Sequence, residues 1–295
     1  MTLPPVTAPS SESPFPAGAR DQGVPIAVVL AAGKGTRMGT DLPKVLCDAA
    51  GRPLVRWVLD ALAAAGIQER IVVVGHRAAD VERALAGIPG VSFALQKQLR
   101  GTGDAVAAAA PLIAAAGGDA GRPVVIVCGD SPMLRPESVT GLLAAFAERR
   151  AACLLGTAFA TDPTGLGRIV RSADGQFRAI VEERDASPDE RAIREVNMST
   201  YVFAAGPLVN AVSRLDTANA AGEYYLTDCP RLLTADGLVV DAVACLDASE
   251  SLSVNTPEQL ATVAAALRAR PAVAPEGALA EGRTAPGTAA QESDR

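Results

Sequence analysis

Histidine, aromatic residues and clustered cysteines are scarce in this chain, and each scarcity removes a class of chemistry. The one histidine, His76, leaves a Ser-His-Asp triad or a multi-histidine metal centre with almost nothing to stand on. The five cysteines, Cys47, Cys128, Cys153, Cys229 and Cys245, are scattered and include no CxxC pair. An odd, unclustered set fits reduced buried thiols in a cytosolic protein rather than a disulfide framework or a zinc site. No apolar run approaches the roughly 20 residues that span a bilayer, and the first two dozen residues lack the basic start and apolar core of a signal peptide. No membrane partner is expected, and a cytoplasmic location is. Net charge is -6, which argues against a nucleic-acid partner; affinity for phosphate has to be local.

What the chain does have is apolar content. Hydrophobic residues make up 49% and charged residues 20% of its 295 residues, the balance of a folded protein with a substantial core. Residues 1–23 are Pro/Ser-rich and 271–295 Ala/Pro/Gly/Glu-rich, and both are read as disordered extensions. The expected folded body is 24–270, with a change of pattern near residue 151.

The stretch Ile26 to Lys44 organises that body. An apolar run, Ile26 to Leu30, suits a strand buried on both faces of a parallel sheet. It enters the loop Ala31-Ala32-Gly33-Lys34-Gly35-Thr36-Arg37. Glycines let backbone approach a ligand and turn N–H groups toward phosphate oxygens; Arg37 and Lys44 supply a planar fork and a point charge. Two familiar phosphate motifs do not fit. The dinucleotide fingerprint needs glycine where Met38 stands, and the Walker A order is absent from Lys34-Gly35-Thr36. By itself the loop fits a nucleotide site and a plain strand-to-helix connection equally.

Further along, Leu54 to Ala65 carries a helical stripe closed by Gly66, Ile71 to Gly75 reads as a second strand, Ala78 to Leu85 as a helix and Ser92 to Leu95 as a third strand. No acidic residue follows the second strand where a dinucleotide fold binds ribose. Gly101-Thr102-Gly103-Asp104 opens an alanine-rich helix; its N–H groups suit a ligand, but with Asp104 in the first turn a plain helix start is the preferred reading of the residues alone. Val124 to Cys128 is a strand ending in Gly129-Asp130, at the edge where open α/β sheets bind ligands. Asp130 there suits Mg²⁺, and suits a turn aspartate before Ser131-Pro132 as well. A helix is predicted from Pro136 to about Arg149. Beyond Ala151, Asp174-Gly175 predicts a hairpin into Phe177 to Glu182, Glu195-Val196-Asn197 precedes a strand at Thr200 to Phe203, and Val239 to Cys245 is a further strand. Thr256, Pro257 and Gln259 read as the capping box of the last helix, which accounts for them without function but leaves Asn255 unexplained.

Leu30-Ala31-Ala32-Gly33-Lys34-Gly35-Thr36-Arg37-Met38, followed by Leu42-Pro43-Lys44-Val45-Leu46, resembles the signature of the sugar-phosphate nucleotidyltransferases. Within that superfamily it is most similar to the uridyltransferase domain of the bacterial bifunctional N-acetylglucosamine-1-phosphate uridyltransferases. The resemblance implies an α/β fold of the nucleotide-diphospho-sugar transferase type, a Rossmann-like mixed sheet with helices on both faces, with a nucleotide-binding half (24–150) and a sugar-binding half (151–270). It implies UTP and a sugar 1-phosphate as substrates, Mg²⁺ as cofactor, and a product that serves as a cell-wall precursor. Carried over residue by residue, Leu30, Ala31, Ala32 and Gly33 hold the nucleotide, and Gln96, Gly101 and Thr102 surround the uracil. Arg37 and Lys44 act on the reacting phosphates, Asp130 and Asn255 hold Mg²⁺, and Gly167, Glu182 and Asn197 hold the amino sugar. The Glu223-Tyr224-Tyr225-Leu226-Thr227-Asp228 string resembles another family signature, with no role assigned to its tyrosines.

The chain departs from the family pattern at three places, one of them Arg184, which stands where the family comparison has lysine after its Val-Glu. Asn197-Met198-Ser199 stands where Asn-Thr-Gly is usual, and Asp104 stands where the family comparison has histidine. No hexapeptide repeats follow Arg270, so neither acetyl transfer nor trimerisation through a β-helix is expected. The expected reaction joins UTP and N-acetylglucosamine 1-phosphate. The alternatives are the same chemistry on another sugar 1-phosphate or nucleotide, and a regulatory module that binds a nucleotide sugar without turnover.

Overall fold

A computed structural model describes residues 23–116 and 121–270 of the protein. The expected terminal extensions therefore lie, apart from Gly23, outside the described residues. Strand β1 (Ile26–Leu30) is buried along its length, and its side chains alternate between two cores: Ile26 and Val28 face one, Ala27 and Val29 the other. That two-sided burial is why an uninterrupted apolar run forms a strand here.

Two short strands, β2 (Asp48–Ala49) and β3 (Arg52–Pro53), pair antiparallel ahead of helix α1 (Leu54–Ala64). The main sheet continues with β4 (Glu69–Val74), helix α2 (Ala78–Leu85), β5 (Val91–Leu95), α3 (Thr102–Ala115), β6 (Pro123–Cys128) and α4 (Pro136–Arg149). Next come β7 (Cys153–Phe159), β8 (Arg168–Arg171), β9 (Phe177–Val181), the short helix α5 (Pro188–Arg191) and β10 (Glu195–Ala204). The chain then passes through α6 (Ala205–Ser213), α7 (Cys229–Ala235), β11 (Val240–Val243) and α8 (Pro257–Ala269).

Among the described residues, nine strands form one mixed sheet. Its main path runs β11-β7-β10-β6-β1-β4-β5, and the β8–β9 hairpin joins through β10. β1 is parallel to β4 and β6, β4 to β5, and β11 to β7; β10 runs antiparallel between β6 and β7. One face is covered by α3, α6 and α7, the other by α1, α2 and α4. This is the expected mixed sheet with helices on both faces, and it runs unbroken past residue 151 because β7 and β10 belong to it. All five cysteines are free thiols. No described helix is long and apolar enough to cross a membrane.

One element differs from the sequence expectation. Glu195, Val196 and Asn197 do not precede the strand at Thr200; they are its first residues. Pairing with β7 shifts between Asn197–Thr157 and Thr200–Gly156, which leaves Met198 and Ser199 as a bulge. Asn197 Oδ1 accepts from the Ser199 amide at 3.1 Å and Ser199 turns to φ +51°. The asparagine thus offers the backbone a local partner in place of the ladder, and the strand resumes two residues later.

The outer part of the sheet is fixed by a charge network. Arg171 on β8 donates from Nε and Nη2 to the two oxygens of buried Glu195, each at 2.7 Å, and Thr157 Oγ1 donates to the same carboxylate at 2.8 Å. Removing one partner of such a buried pair leaves the other charge uncompensated. Glu195→Ala should therefore lower the unfolding free energy by about 3 kcal/mol, read by urea denaturation.

Candidate active site

The site begins where β1 stops. Gly35 has φ +62°, and a Cβ there would lie 2.5 Å from Lys44 Cβ. Only glycine lets the loop close over the lysine. Met38 is buried in a small separate core with Cys47, Leu54, Met133 and Val254. Arg37 immediately precedes Met38, and Asn255 immediately follows Val254. This packing brings together two side chains 218 residues apart: Arg37 Nη2 donates to Asn255 Oδ1 at 3.1 Å.

Lys44 completes the group. Its ammonium donates to the same Asn255 oxygen at 2.9 Å and pairs with Asp130. Asp130 sits two residues beyond β6, where Gly129 N still bonds Leu30 O at 2.9 Å. Its own carbonyl accepts from Val254 N at 3.2 Å, so the β6 turn and the Asn255 segment are joined through backbone as well. Asn255 is set by the cap of α8: its amide donates to Gln259 Oε1 at 2.7 Å, and its Nδ2 to Ser253 at 3.3 Å. The capping box read from Thr256, Pro257 and Gln259 is present. It does more than start a helix, because it holds Asn255 with its oxygen toward the two cations.

Two cations and one carboxylate converge, so the group carries a local positive excess in a protein of net charge -6. Such a spot attracts polyphosphate. Among the described residues no three histidine, cysteine or acidic side chains gather as a metal cage. The oxygens of Asp130 and Asn255 nevertheless meet at one point, where the Lys44 ammonium rests. Two hard oxygen donors with open positions suit Mg²⁺, whose remaining ligands are commonly waters and substrate phosphates.

On the other flank, Gln96 follows β5 and is buried. It lines a cleft of about 700 Å³ with Lys34, Gly75, His76 and Leu99. Leu95 and Leu99 remain exposed there, 53% and 40%, an apolar surface suited to a flat base. Gly101 caps α3 at φ +113°, and a Cβ on it would meet Tyr224 O at 2.5 Å. Tyr224 bonds the turn on both sides, from its amide to Arg100 O and from Gly103 N to its carbonyl, each 2.8 Å. Thr102 Oγ1 accepts from Leu226 N at 3.1 Å, which ties this turn to the Glu223–Asp228 string.

The three expected sugar-side residues are neighbours. Gly167 O accepts from Asn197 N at 2.8 Å. A Cβ on Gly167 would lie 3.5 Å from Asn197 Cβ and 3.7 Å from Glu182 Oε1. Burial pushes the Glu182 carboxyl above its usual range, a shift moderated by the 3.0 Å hydrogen bond that Thr227 Oγ1 donates to it. Asn197 Nδ2 donates to the Tyr201 hydroxyl at 2.7 Å. Desolvation, with the charge of Asp130 adding to it, pushes the buried Cys128 thiol up to about 12. Sequence reasoning missed Thr227, Tyr201 and Cys128. Thr227 lay in a string already singled out, but nothing in that string pointed to a carboxylate 45 residues earlier.

Comparison with known proteins agrees with this fold. The bifunctional protein GlmU of Geobacter metallireducens is 46% identical over 235 residues, covering 80% of this chain and 48% of that protein. Its counterpart in Pelobacter propionicus is 42% identical over 244 residues, covering 83% and 52%. The chain thus spans about half the length of the curated relatives it matches. Among solved structures, UDP-glucose pyrophosphorylase complexed with UDP-glucose superposes with a TM-score of 0.65 over 83% of this chain and 98% of that one, at 17% identity, a likeness of fold. Residues 27–198 match the family described as the MobA-like NTP transferase domain. A central mixed sheet, a glycine loop after its first strand and this match across the sheet's core lead to one conclusion: the chain belongs to the MobA-like NTP transferase family, and it resembles the uridyltransferase part of the bifunctional GlmU proteins.

Proposed function

We propose that the protein is a Mg²⁺-dependent uridylyltransferase that joins UTP and N-acetylglucosamine 1-phosphate to give UDP-N-acetylglucosamine and pyrophosphate. The observation that carries this reading is the convergence of Arg37, Lys44, Asp130 and Asn255 at the end of β1 and β6. The base cleft at Gln96 lies on one flank of that group and the Gly167–Glu182–Asn197 group on the other.

A phosphate oxygen of the sugar 1-phosphate attacks the α-phosphorus of UTP in line. The new P–O bond forms as the bond to the β-phosphate bridging oxygen breaks, and pyrophosphate departs. A phosphate dianion is already a nucleophile, so no general base is required. Lys44 neutralises the reacting phosphates and Arg37 the departing pyrophosphate, each held near Asn255 before substrate arrives, which lowers the reorganisation needed during reaction. Asp130 and Asn255 are the residues that would hold Mg²⁺, which when bound supplies charge neutralisation and alignment of the phosphates. Glu182 and Asn197 offer acceptors and a donor for hydroxyl and acetamide groups.

A second reading keeps the chemistry and changes the sugar. Its support is the bulge beside Asn197, where Met198 is buried and Ser199 takes a left-handed φ. Incubation with UTP, Mg²⁺ and N-acetylglucosamine 1-phosphate should yield UDP-N-acetylglucosamine by mass spectrometry. Product only from a different sugar 1-phosphate would favour the second reading, and none from any sugar 1-phosphate or nucleotide, with folded protein, would leave the regulatory reading.

A further inference from the structure

Asp104 on α3 has no contact with Arg37, Lys44, Asp130 or Asn255 among the bonds described, yet it holds Gln96 at the base cleft. Gln96 Nε2 donates to Asp104 Oδ2 at 2.8 Å and to Gly101 O at 3.0 Å. Both partners are pure acceptors, a carboxylate and a backbone carbonyl, so the end of the amide turned to them has to be the NH₂. Both its N–H bonds are then used. What remains for a ligand is Oε1, to which no donor is bonded among the described residues. Asp104 is itself fixed: its other oxygen, Oδ1, accepts from Arg100 at 2.7 Å, and that guanidinium stacks over Tyr224 at 5.1 Å. The contacts Tyr224–Arg100–Asp104–Gln96 therefore run from the surface into a buried amide.

We propose that Asp104 is a positioning residue for nucleotide choice. By locking the Gln96 amide with its oxygen outward, it makes the cleft favour a base whose pairing edge offers an N–H. Uracil offers one at N3, whereas cytosine has an acceptor there. An acceptor facing an acceptor leaves both unpaired and desolvated, and sites built on such a match reject the wrong partner strongly. The inference rests on the proposed uridylyltransferase reading and adds the device that sets its base selectivity.

Asp104→Asn tests it with little change of shape. Asparagine has one oxygen where aspartate has two. Its NH₂ has to face either Arg100, which is also a donor, or Gln96, which then turns its oxygen inward. The readout is the ratio of kcat/KM for UTP over CTP at saturating sugar 1-phosphate. The ratio should fall at least tenfold in Asp104→Asn and recover partly in Asp104→Glu. A merely structural role would lower both nucleotides alike and leave the ratio in place, and that result overturns the inference. The wild-type protein separates the two levels: no turnover with UTP defeats the uridylyltransferase reading, whereas UTP turnover with an unchanged ratio in Asp104→Asn defeats only the role of Asp104.

Discussion

Asp130→Ala is expected to lower turnover about 10³-fold, the scale of removing one preorganised electrostatic group from a reacting phosphate or oxyanion, while leaving the fold in place. The side chain makes no contribution to the core, and the backbone bond from Val254 N to Asp130 O does not need it. A second readout separates a metal-holding carboxylate from a structural one. Asp130 is paired with Lys44. Its removal frees the ammonium and lifts a negative charge from the triphosphate site, so UTP binding without Mg²⁺ should be undiminished or tighter in the variant. The gain in affinity that Mg²⁺ gives the wild type should be lost. Titration calorimetry with and without Mg²⁺ measures both; near-wild-type Mg²⁺-dependent rates would remove Asp130 from the metal site.

Glu182→Gln is expected to separate sugar binding from stability. A buried group that hydrogen-bonds substrate hydroxyls accounts for about 1–3 kcal/mol, so KM for the sugar phosphate should rise about tenfold or more while KM for UTP changes little. Stability should move the other way. Burial raises the Glu182 pKa above the ordinary 4.5. Between the unfolded and folded values the native state holds more protons, so wild-type stability falls as pH rises through that window and stays lowered above it. Glutamine carries no such penalty. Melting temperature should be higher in the variant at pH 7.5, with the difference shrinking toward pH 4. An equal loss of both substrates, or a variant less stable at pH 7.5, contradicts this assignment.

The parts of the molecule that depend on neighbours in sequence were legible before the structure. β1 is an apolar run because both its faces are covered, and the pattern shows that directly. The capping box at Thr256 is a four-residue event. The turn at Asp174-Gly175 does produce the β8–β9 hairpin. Pairings across the fold were not legible in the same way. Lys44 and Asn255 are 211 residues apart, and burial of Met38 and Cys47 with Val254 helps bring their segments together. Family resemblance named these residues; packing explains them. The bulge at Met198-Ser199 escaped because a side-chain bond from Asn197 competes with the ladder, and alternation of apolar residues carries no trace of that competition. Asp104 read as an ordinary first-turn acid because its partner, Gln96, precedes the turn and looks solvent-facing by type.

Pyrophosphate release tests the proposed reaction most directly. The measurement is made with UTP, Mg²⁺ and a panel of sugar 1-phosphates that includes the N-acetylated amino sugar. Release with N-acetylglucosamine 1-phosphate well above every other sugar is the predicted result. Release with another sugar would contradict the sugar assignment at Glu182 and Asn197, and none with any sugar or nucleotide, from folded protein that still binds UTP, would contradict the catalytic reading as a whole.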